Sequence, residues 1–230
     1  MDHLSEPSPE DSRPQIVEGP SGLELRGADD RPGQGVRATP FLALERSDHE
    51  RAVHPLRRIL DGTSGPVVDA TAGFAGDAGM MAVMGRSVLL LERNLGMYQL
   101  LCDALARAST EEELALANRM TCVHGDATTI LPDLPSEFLR PAVVVLDPMF
   151  PPRRKRSALP PKPMQRLRGF TGHDHLEDIE ALLRAALSAD PARIVLKRPP
   201  ESEVDPAILG PATFAIETKL IRWDVWERSR

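Results

Sequence analysis

The sequence has few cysteines, no surplus of basic residues and no long apolar run. Its two cysteines, Cys102 and Cys122, form no CxxC pair and have no neighbouring histidine cluster, which excludes a zinc site and a disulfide framework. No stretch approaches the roughly 18 apolar residues that a membrane span needs, and the acidic N-terminus lacks an apolar signal segment. We therefore expect a cytoplasmic protein that needs no metal.

The charge balance also limits the partners. The chain carries 28 Lys and Arg against 34 Asp and Glu, a net charge of −6. A protein that binds nucleic acid through its overall charge would be basic, so such binding would require a local basic patch.

The composition divides the 230 residues into three parts. Residues 1–35 are rich in Pro, Gly, Asp and Glu with few large apolar groups, so we expect a loose tail, in which Leu23-Glu24-Leu25 alternates like one short edge strand. Residues 36–62 read as a helical cap, with Pro55 breaking or starting a helix. Residues 63–230 are long enough for one main domain with a sizeable core.

The main domain opens with a strand, a tight turn and a helix. Val67-Val68-Asp69 is a short apolar strand ending in an acid, and small residues follow up to Asp77. Gly73 and Gly76 are expected to take positive φ and to let the backbone approach a ligand, while the N–H groups at the helix start attract polar groups. This pattern predicts a nucleotide-like cofactor at the turn.

Two further acids are predicted at the same edge of the sheet as Asp69. Glu92 ends the next buried strand, at the spacing from Gly73 where an acid accepts hydrogen bonds from ribose hydroxyls. Asp126 follows a third strand and can bind a base or cap the next helix, and both roles are compatible. The alternative for the turn and Glu92 together is an ordinary strand-helix connection with a solvated acid.

The strongest local signal is a β-branched apolar strand ending in Asp147-Pro148-Met149-Phe150. An acid, a proline that fixes the backbone and an aromatic ring form a clamp for a planar group bearing an amine. Asp147 would accept hydrogen bonds from the amine, and Phe150 would stack on the ring. The alternative is a structural turn in which Phe150 packs downwards.

Basic residues follow this clamp without an intervening acid. Seven of them occupy residues 153–168, where prolines are expected to keep the loop extended: Arg153, Arg154, Lys155, Arg156, Lys162, Arg166 and Arg168. Lys197 and Arg198 end a later strand near the same edge. These residues could hold the phosphates that flank a target base, although a charge run is more commonly a solvated surface.

Five motifs together resemble the ribosomal RNA small subunit methyltransferase J family over about residues 65–226. They are Asp69-Ala70-Thr71-Ala72-Gly73, Leu91-Glu92-Arg93-Asn94, Leu146-Asp147-Pro148-Met149-Phe150-Pro151, Lys155-Arg156-Ser157-Ala158-Leu159 and Val195-Leu196-Lys197-Arg198-Pro199. Where the family has a second turn glycine, this chain has Ala75, and the family's glycine- and arginine-rich segment is not recognisable around residues 45–62.

The resemblance implies a seven-stranded, Rossmann-like α/β fold that ends in an antiparallel hairpin. It implies S-adenosylmethionine (SAM) as cofactor and methyl transfer to the exocyclic N2 amine of a guanine in 16S ribosomal RNA, free or in the 30S subunit. The implied cofactor contacts are Gly76, Asp77, Glu92, Arg93, Asp126, Ala127 and Asp147.

Other functions remain open at this stage. A nicotinamide-dependent oxidoreductase would share the glycine turn but would commonly have a Tyr-x-x-x-Lys pair, whereas Tyr98 is followed at that distance by Cys102. A methyltransferase acting on another nucleobase or on a protein amide, and a non-catalytic RNA-binding descendant of the enzyme, are the remaining alternatives.

Overall fold

The computed structural model describes residues 13–151, 161–202 and 205–228. Its strands are β1 (Gln15–Gly19), β2 (Gly22–Arg26), β3 (Val67–Asp69), β4 (Val88–Glu92), β5 (Met120–His124), β6 (Val143–Leu146), β7 (Arg193–Arg198), β8 (Phe214–Glu217) and β9 (Arg222–Glu227). Seven of them form a mixed sheet in the order β5-β4-β3-β6-β7-β9-β8. The five strands β5, β4, β3, β6 and β7 pair in parallel. β9 pairs antiparallel with both β7 and β8. This confirms the predicted fold and its C-terminal hairpin.

Helices lie along the chain between these strands. They are α1 (Leu42–Glu45), α2 (Asp48–Val53), α3 (Pro55–Leu60), α4 (Gly76–Val83), α5 (Leu95–Ala106), α6 (Glu111–Ala117), α7 (Ala127–Ile130), α8 (Lys162–Thr171), α9 (Leu176–Ser188) and α10 (Pro206–Leu209). Among the described residues, no helix combines the length and apolar character that crossing a membrane would require.

The central strands are apolar because both of their faces are covered. Every residue of β3, β4 and β6 is buried. Val67 points into a cluster with α3 and α4, whereas Val68 points into a cluster with α9. Trp223 and Trp226 belong to these two clusters respectively, so they pack on opposite sides of the last strand.

Several helix boundaries follow local signals that are readable in the sequence. Thr110 and Glu113 form a capping box at the start of α6. Pro55 is the first residue of α3, a position where its missing N–H is not needed. The prediction that a helix breaks or begins at Pro55 is therefore confirmed.

The N-terminal region differs from the loose tail predicted for residues 1–35, although the short strand predicted at Leu23-Glu24-Leu25 is confirmed as part of β2. From residue 15 onward it forms an antiparallel β1–β2 hairpin, and Leu25 exchanges backbone hydrogen bonds of 2.7 and 2.9 Å with Val36. Leu25 is fully buried beside Met97 and Leu100 of α5. The hairpin buries its few apolar side chains against another element, a contact that composition cannot reveal. Residues 1–12 lie outside the described residues.

The segment after the predicted clamp also differs from the sequence expectation. An extended loop was expected over residues 153–168, but residues 162–168 belong to α8. Pro163 lies in the first turn of α8, where proline is compatible with a helix. Leu167 packs in the same cluster as Leu25, and this burial stabilises the helical conformation. Residues 152–160, which include Arg153, Arg154, Lys155 and Arg156, lie outside the described residues.

Candidate active site

Strands of the central sheet bring polar residues to one edge. β3 ends at Asp69, β4 ends at Glu92, and Asp147 directly follows β6. Lys197 is the penultimate residue of β7, which pairs with β6. Because parallel strands place their carboxyl ends at the same edge, these side chains converge where open α/β sheets bind ligands.

The turn after β3 has two residues in the left-handed backbone region. Gly73 has φ of 52°, as predicted, but the second such residue is Ala75, with φ of 60° and ψ of 23°. Gly76, which was also predicted to take positive φ, does not, because it is the first residue of α4. Ala75 thus adopts the conformation expected of the family's second turn glycine, at a steric cost that glycine would avoid.

Glu92 binds the backbone of the glycine turn. Its carboxylate accepts hydrogen bonds from the backbone N–H of Gly73 at 3.1 Å and from that of Asn94 at 2.8 Å. The residue is only 9% exposed, so it is not the solvated acid of the alternative interpretation. Burial raises the pKa of the Glu92 carboxyl, although the amides of Asn94 and Gly73 act in the opposite direction.

Asp69 and Asp77 form an acidic pair beside the turn. Asp69 is 4% exposed, and burial, reinforced by the charge of Asp77, raises its pKa to about 7. Its carboxylate accepts a 3.3 Å hydrogen bond from the N–H of Thr71. Asp77 lies in the first turn of α4, where the helix dipole favours a negative charge.

Lys197 connects Asp77 to Asp147. Its Nζ lies 2.7 Å from Asp77 Oδ2, 2.8 Å from Asp147 Oδ2 and 4.9 Å from the centroid of the Trp223 ring. Burial alone would lower the pKa of Lys197, but the two carboxylates outweigh it and keep that pKa above its ordinary value. The ammonium group is therefore engaged within the site, whereas the sequence indicated only an RNA contact.

Arg198 has internal partners as well. Its Nε lies 2.5 Å from Asp224 Oδ2, and its Nη1 donates to the carbonyl of Ser202. Contact of Lys197 and Arg198 with RNA stays a prediction, and each side chain is less than a fifth exposed, at 17% and 14%.

The clamp segment is fixed by hydrogen bonds on its backbone. Thr71 Oγ1 accepts a 2.6 Å hydrogen bond from the N–H of Asp147, and the N–H of Phe150 donates to the carbonyl of Pro148 at 2.9 Å. The Asp147 side chain is 43% exposed, so it remains accessible at the edge. Phe150 is 7% exposed and packs in the cluster with α9, as the alternative interpretation for that ring predicted.

Asp126 is the N-cap of α7, which confirms one of its two predicted roles. One oxygen, Oδ1, accepts from the N–H of Thr128 at 2.8 Å and from its hydroxyl at 2.7 Å. Ala127 is buried as the first residue of that helix. A contact between Asp126 and a base stays a prediction.

Asp174 is a residue of the site that sequence reasoning missed. It lies between α8 and α9, pairs with the guanidinium of Arg93 and accepts a 2.6 Å hydrogen bond from the N–H of Met149. No motif or spacing singles out this acid, because its partners are distant in the sequence.

Part of the predicted basic patch is neutralised by the N-terminal region. Lys162 and Arg166 both pair with Asp30, whose side chain is fully buried, and Arg166 also pairs with Asp29. These two cations of α8 thus stabilise the fold.

The backbone at the start of α4 is open on one side. A Cβ atom built on Gly76 would meet no other atom within 4 Å, so the backbone at the start of α4 faces open space. Asp77 lies in the first turn of this helix, and Glu92 accepts from the amide of Gly73 in the turn before it. Carboxylates at such a turn suit the hydroxyl and ammonium groups of an adenosine-containing cofactor.

Comparison with known proteins identifies the family. A model described as "Putative SAM-dependent methyltransferase" matches residues 44–228. The chain is 45% identical over 166 residues to the ribosomal RNA small subunit methyltransferase J of Rhodopseudomonas palustris strain TIE-1, over 71% of this chain and 77% of that protein. It is 44% identical over 217 residues to the protein of the same name from Chromohalobacter salexigens, over 90% and 82% of the two chains.

A solved structure supports the fold independently. A SAM-dependent methyltransferase from Neisseria gonorrhoeae matches with a TM-score of 0.66 at 22% identity, over 97% of this chain and 86% of that one. The chain belongs to the ribosomal RNA small subunit methyltransferase J family and is an enzyme that uses SAM as its cofactor.

Proposed function

We propose that this enzyme transfers a methyl group from SAM to the exocyclic N2 amine of a guanine in 16S ribosomal RNA. The RNA substrate is supported by the relatives named ribosomal RNA small subunit methyltransferase J, and the guanine N2 position by the resemblance of the clamp motif. The observation that carries the proposal is Asp147, an accessible carboxylate held at the edge of the sheet by Lys197.

The cofactor side of the site is assigned from the residues around the glycine turn. Glu92 accepts from the ribose hydroxyls, and Asp126, whose Oδ1 is used by the helix cap, offers its other oxygen to the adenine amine. Arg93 and Ala127 border the adenosine, and Gly73 and Gly76 let the backbone approach it.

The charge of the site suits a cationic cofactor. Asp77 and Asp147 face one lysine, and Asp69 adds a further carboxyl that is half-ionised near neutral pH. The remaining negative charge favours the ammonium and sulfonium groups of SAM over neutral analogues.

Asp147 acts on the target amine. When bound, SAM would supply an electrophilic methyl group on its sulfonium, and it would leave as the neutral thioether S-adenosylhomocysteine when the S–CH3 bond breaks and the N–CH3 bond forms. The Asp147 carboxylate accepts a hydrogen bond from the guanine N2 amine, which directs the nitrogen lone pair towards the methyl carbon, and it takes up the proton released late in the transfer. Pro148 fixes the backbone that aims this carboxylate, and Lys197 fixes its oxygen.

Phosphate contacts are assigned to the basic segment after the clamp. Arg153, Arg154, Lys155 and Arg156 are close in sequence to Asp147 and would neutralise phosphates flanking the target base. Lys197 and Arg198 have a smaller part in this proposal, because both already contact acids.

Methyl transfer from tritiated SAM to 30S subunits tests the proposal, with the labelled nucleoside identified after digestion. We expect label in N2-methylguanosine, and a fall in kcat of at least about 100-fold in Asp147→Ala at saturating SAM, because the amine loses its acceptor. Label in another nucleoside or in protein would contradict the assignment of guanine N2 as the substrate. Near wild-type turnover by Asp147→Ala would make the clamp a structural turn.

A further inference from the structure

We propose that Asp174 is a positioning residue that links the cofactor side of the site to the target side. The inference deepens the proposed function and rests on it, since it assigns Arg93 to the cofactor and Asp147 to the target. It adds a residue from the connection between α8 and α9, outside every motif that indicated the activity.

The two oxygens of Asp174 bind two different segments. Oδ1 pairs with the guanidinium of Arg93, the residue that follows β4. Oδ2 accepts a 2.6 Å hydrogen bond from the N–H of Met149, and the N–H of Asp174 donates to the carbonyl of Met149 at 2.8 Å. Asp174 therefore fixes both backbone polar groups of Met149, two residues after Asp147.

The burial of Asp174 makes this link stiff. Its side chain is 11% exposed, whereas that of Arg93 is 54% exposed. Hydrogen bonds to a carboxylate are roughly twice as strong as those between neutral groups, and a buried carboxylate has little water to replace a lost partner. A displacement of Arg93 is therefore transmitted to Met149 instead of being absorbed by solvent.

The geometry gives this link a role in the reaction. A ligand that borders β4 orders Arg93, Arg93 orients the Asp174 carboxylate, and the carboxylate holds Met149 and thereby the backbone that carries Asp147. Cofactor binding thus completes the clamp before the target amine arrives. By reciprocity, a clamp occupied by its target tightens cofactor binding.

Amide hydrogen exchange provides a readout that does not depend on activity. In the wild type, S-adenosylhomocysteine should slow exchange in a peptide covering residues 147–151 by at least about tenfold. In Asp174→Ala this protection should disappear. Asp174→Asn keeps one acceptor oxygen for Met149 but not the charge that binds Arg93, so it should show slow basal exchange without protection by the ligand. Asp178→Asn, which alters the capping box of α9 four residues away, is the matched control and should behave like the wild type.

Kinetics complete the test. Asp174→Ala should lose about 100-fold in kcat at saturating SAM, the scale of a roughly 1 Å misplacement of a reacting group.

Protection by the ligand that persists in both Asp174 variants would overturn the link, whatever their activity. If the wild type modifies no guanine but the exchange pattern is found, the proposed function fails and the link stands. If Asp178→Asn loses the protection as well, Asp174 has no special part and the inference is wrong.

Discussion

At the scale of single residues, the site is built from acids that ordinary burial rules would exclude. Asp69 and Glu92 are both under a tenth exposed, and each accepts backbone hydrogen bonds from the turn beside it. Buried carboxyls cost free energy unless they are hydrogen-bonded, so their presence at strand ends indicates a site under functional constraint.

The raised pKa of Asp69 predicts how stability depends on pH. Asp69 keeps its proton up to about pH 7 in the folded protein, but its usual pKa is 3.8. Between these values the folded state binds more protons, so the unfolding free energy should fall as pH rises, by at most about 1.4 kcal/mol per pH unit for one group. Urea unfolding of the cofactor-free protein should show this slope and a flatter one in Asp69→Asn. Equal slopes would mean that Asp69 titrates normally.

Glu92 should control cofactor affinity in two ways. Glu92→Gln leaves one oxygen for the two amides of Gly73 and Asn94 and removes the charge proposed to bind the ribose. Calorimetry with SAM should show a loss of roughly 1.5–3 kcal/mol, the scale of a hydrogen bond to a charged group. Glu137→Gln, which alters an acid of the Ser136–Phe138 turn, is the control. Unchanged affinity in Glu92→Gln would remove Glu92 from the cofactor site.

Residues differ in how far the sequence reveals them. Asp69, Glu92 and Asp147 were predictable because each ends or follows an apolar strand, and parallel strands share one carboxyl edge. Asp174 was not, because its partners are Arg93 and Met149, 81 and 25 positions away. The contact of Lys197 with Asp77, 120 positions away, likewise depends on how β7 lies beside β6.

At the scale of elements, the central strands and the C-terminal hairpin follow from the sequence, whereas the pairing of β1 with β2 and the helix α8 do not. Continuous apolar runs identify β4 and β6, because strands covered on both faces need no polar positions. The β1–β2 hairpin and α8 have no continuous apolar run of this kind, because apolar and polar residues are mixed in both. They are stabilised by each other, through the cluster of Leu25 and Leu167 and through the ion pairs of Asp30.

The contacts of Asp30 between the N-terminal region and α8 can be tested directly. Its fully buried carboxylate binds Lys162, Arg166 and the N–H of Gly27, and it therefore joins the N-terminal region to α8. Burial alone would raise its pKa, but these partners lower it to about 2. The contribution of Asp30 to stability is thus fully present above about pH 4 and is lost as pH falls towards 2.

Asp30→Asn should lower the unfolding free energy at pH 7 by about 1.5–3 kcal/mol, the scale of charge-assisted hydrogen bonds. Its stability should also depend less on pH between about 4 and 2 than that of the wild type. Asp29→Asn is a matched control, because Asp29 pairs with the same Arg166 but is 77% exposed, and such pairs contribute below about 1 kcal/mol. Equal losses in the two variants, measured by urea unfolding, would contradict a special role for Asp30.

At the scale of the whole molecule, the net negative charge opposes RNA binding. The net charge of −6 repels a polyanion, and many cations near the site are already paired with acids. Arg93, Lys162, Arg166, Lys197 and Arg198 all have acidic partners in the described part of the chain. The run from Arg153 to Arg156 is therefore the strongest remaining candidate for phosphate contacts.

Replacing Arg153, Arg154, Lys155 and Arg156 together by Ser should weaken binding to 30S subunits and flatten its salt dependence. Each phosphate contact contributes about 0.7 to the slope of log affinity against log salt for single strands, so four lost contacts should reduce the slope by up to about 3. SAM affinity should stay near the wild-type value, since counterion release depends on phosphate contacts alone.

The control replaces four exposed arginines on the side of the sheet where the parallel strands begin. They are Arg57 and Arg58 of α3, Arg119 directly before β5, and Arg140 shortly before β6. It changes the net charge of the molecule by the same amount. If RNA affinity depends on overall charge, both variants should weaken equally; if it depends on a local patch, the control should keep nearly the wild-type slope. An unchanged slope in the variant of residues 153–156 would make that segment ordinary solvated surface, and the phosphate contacts would have to be sought on another face of the molecule.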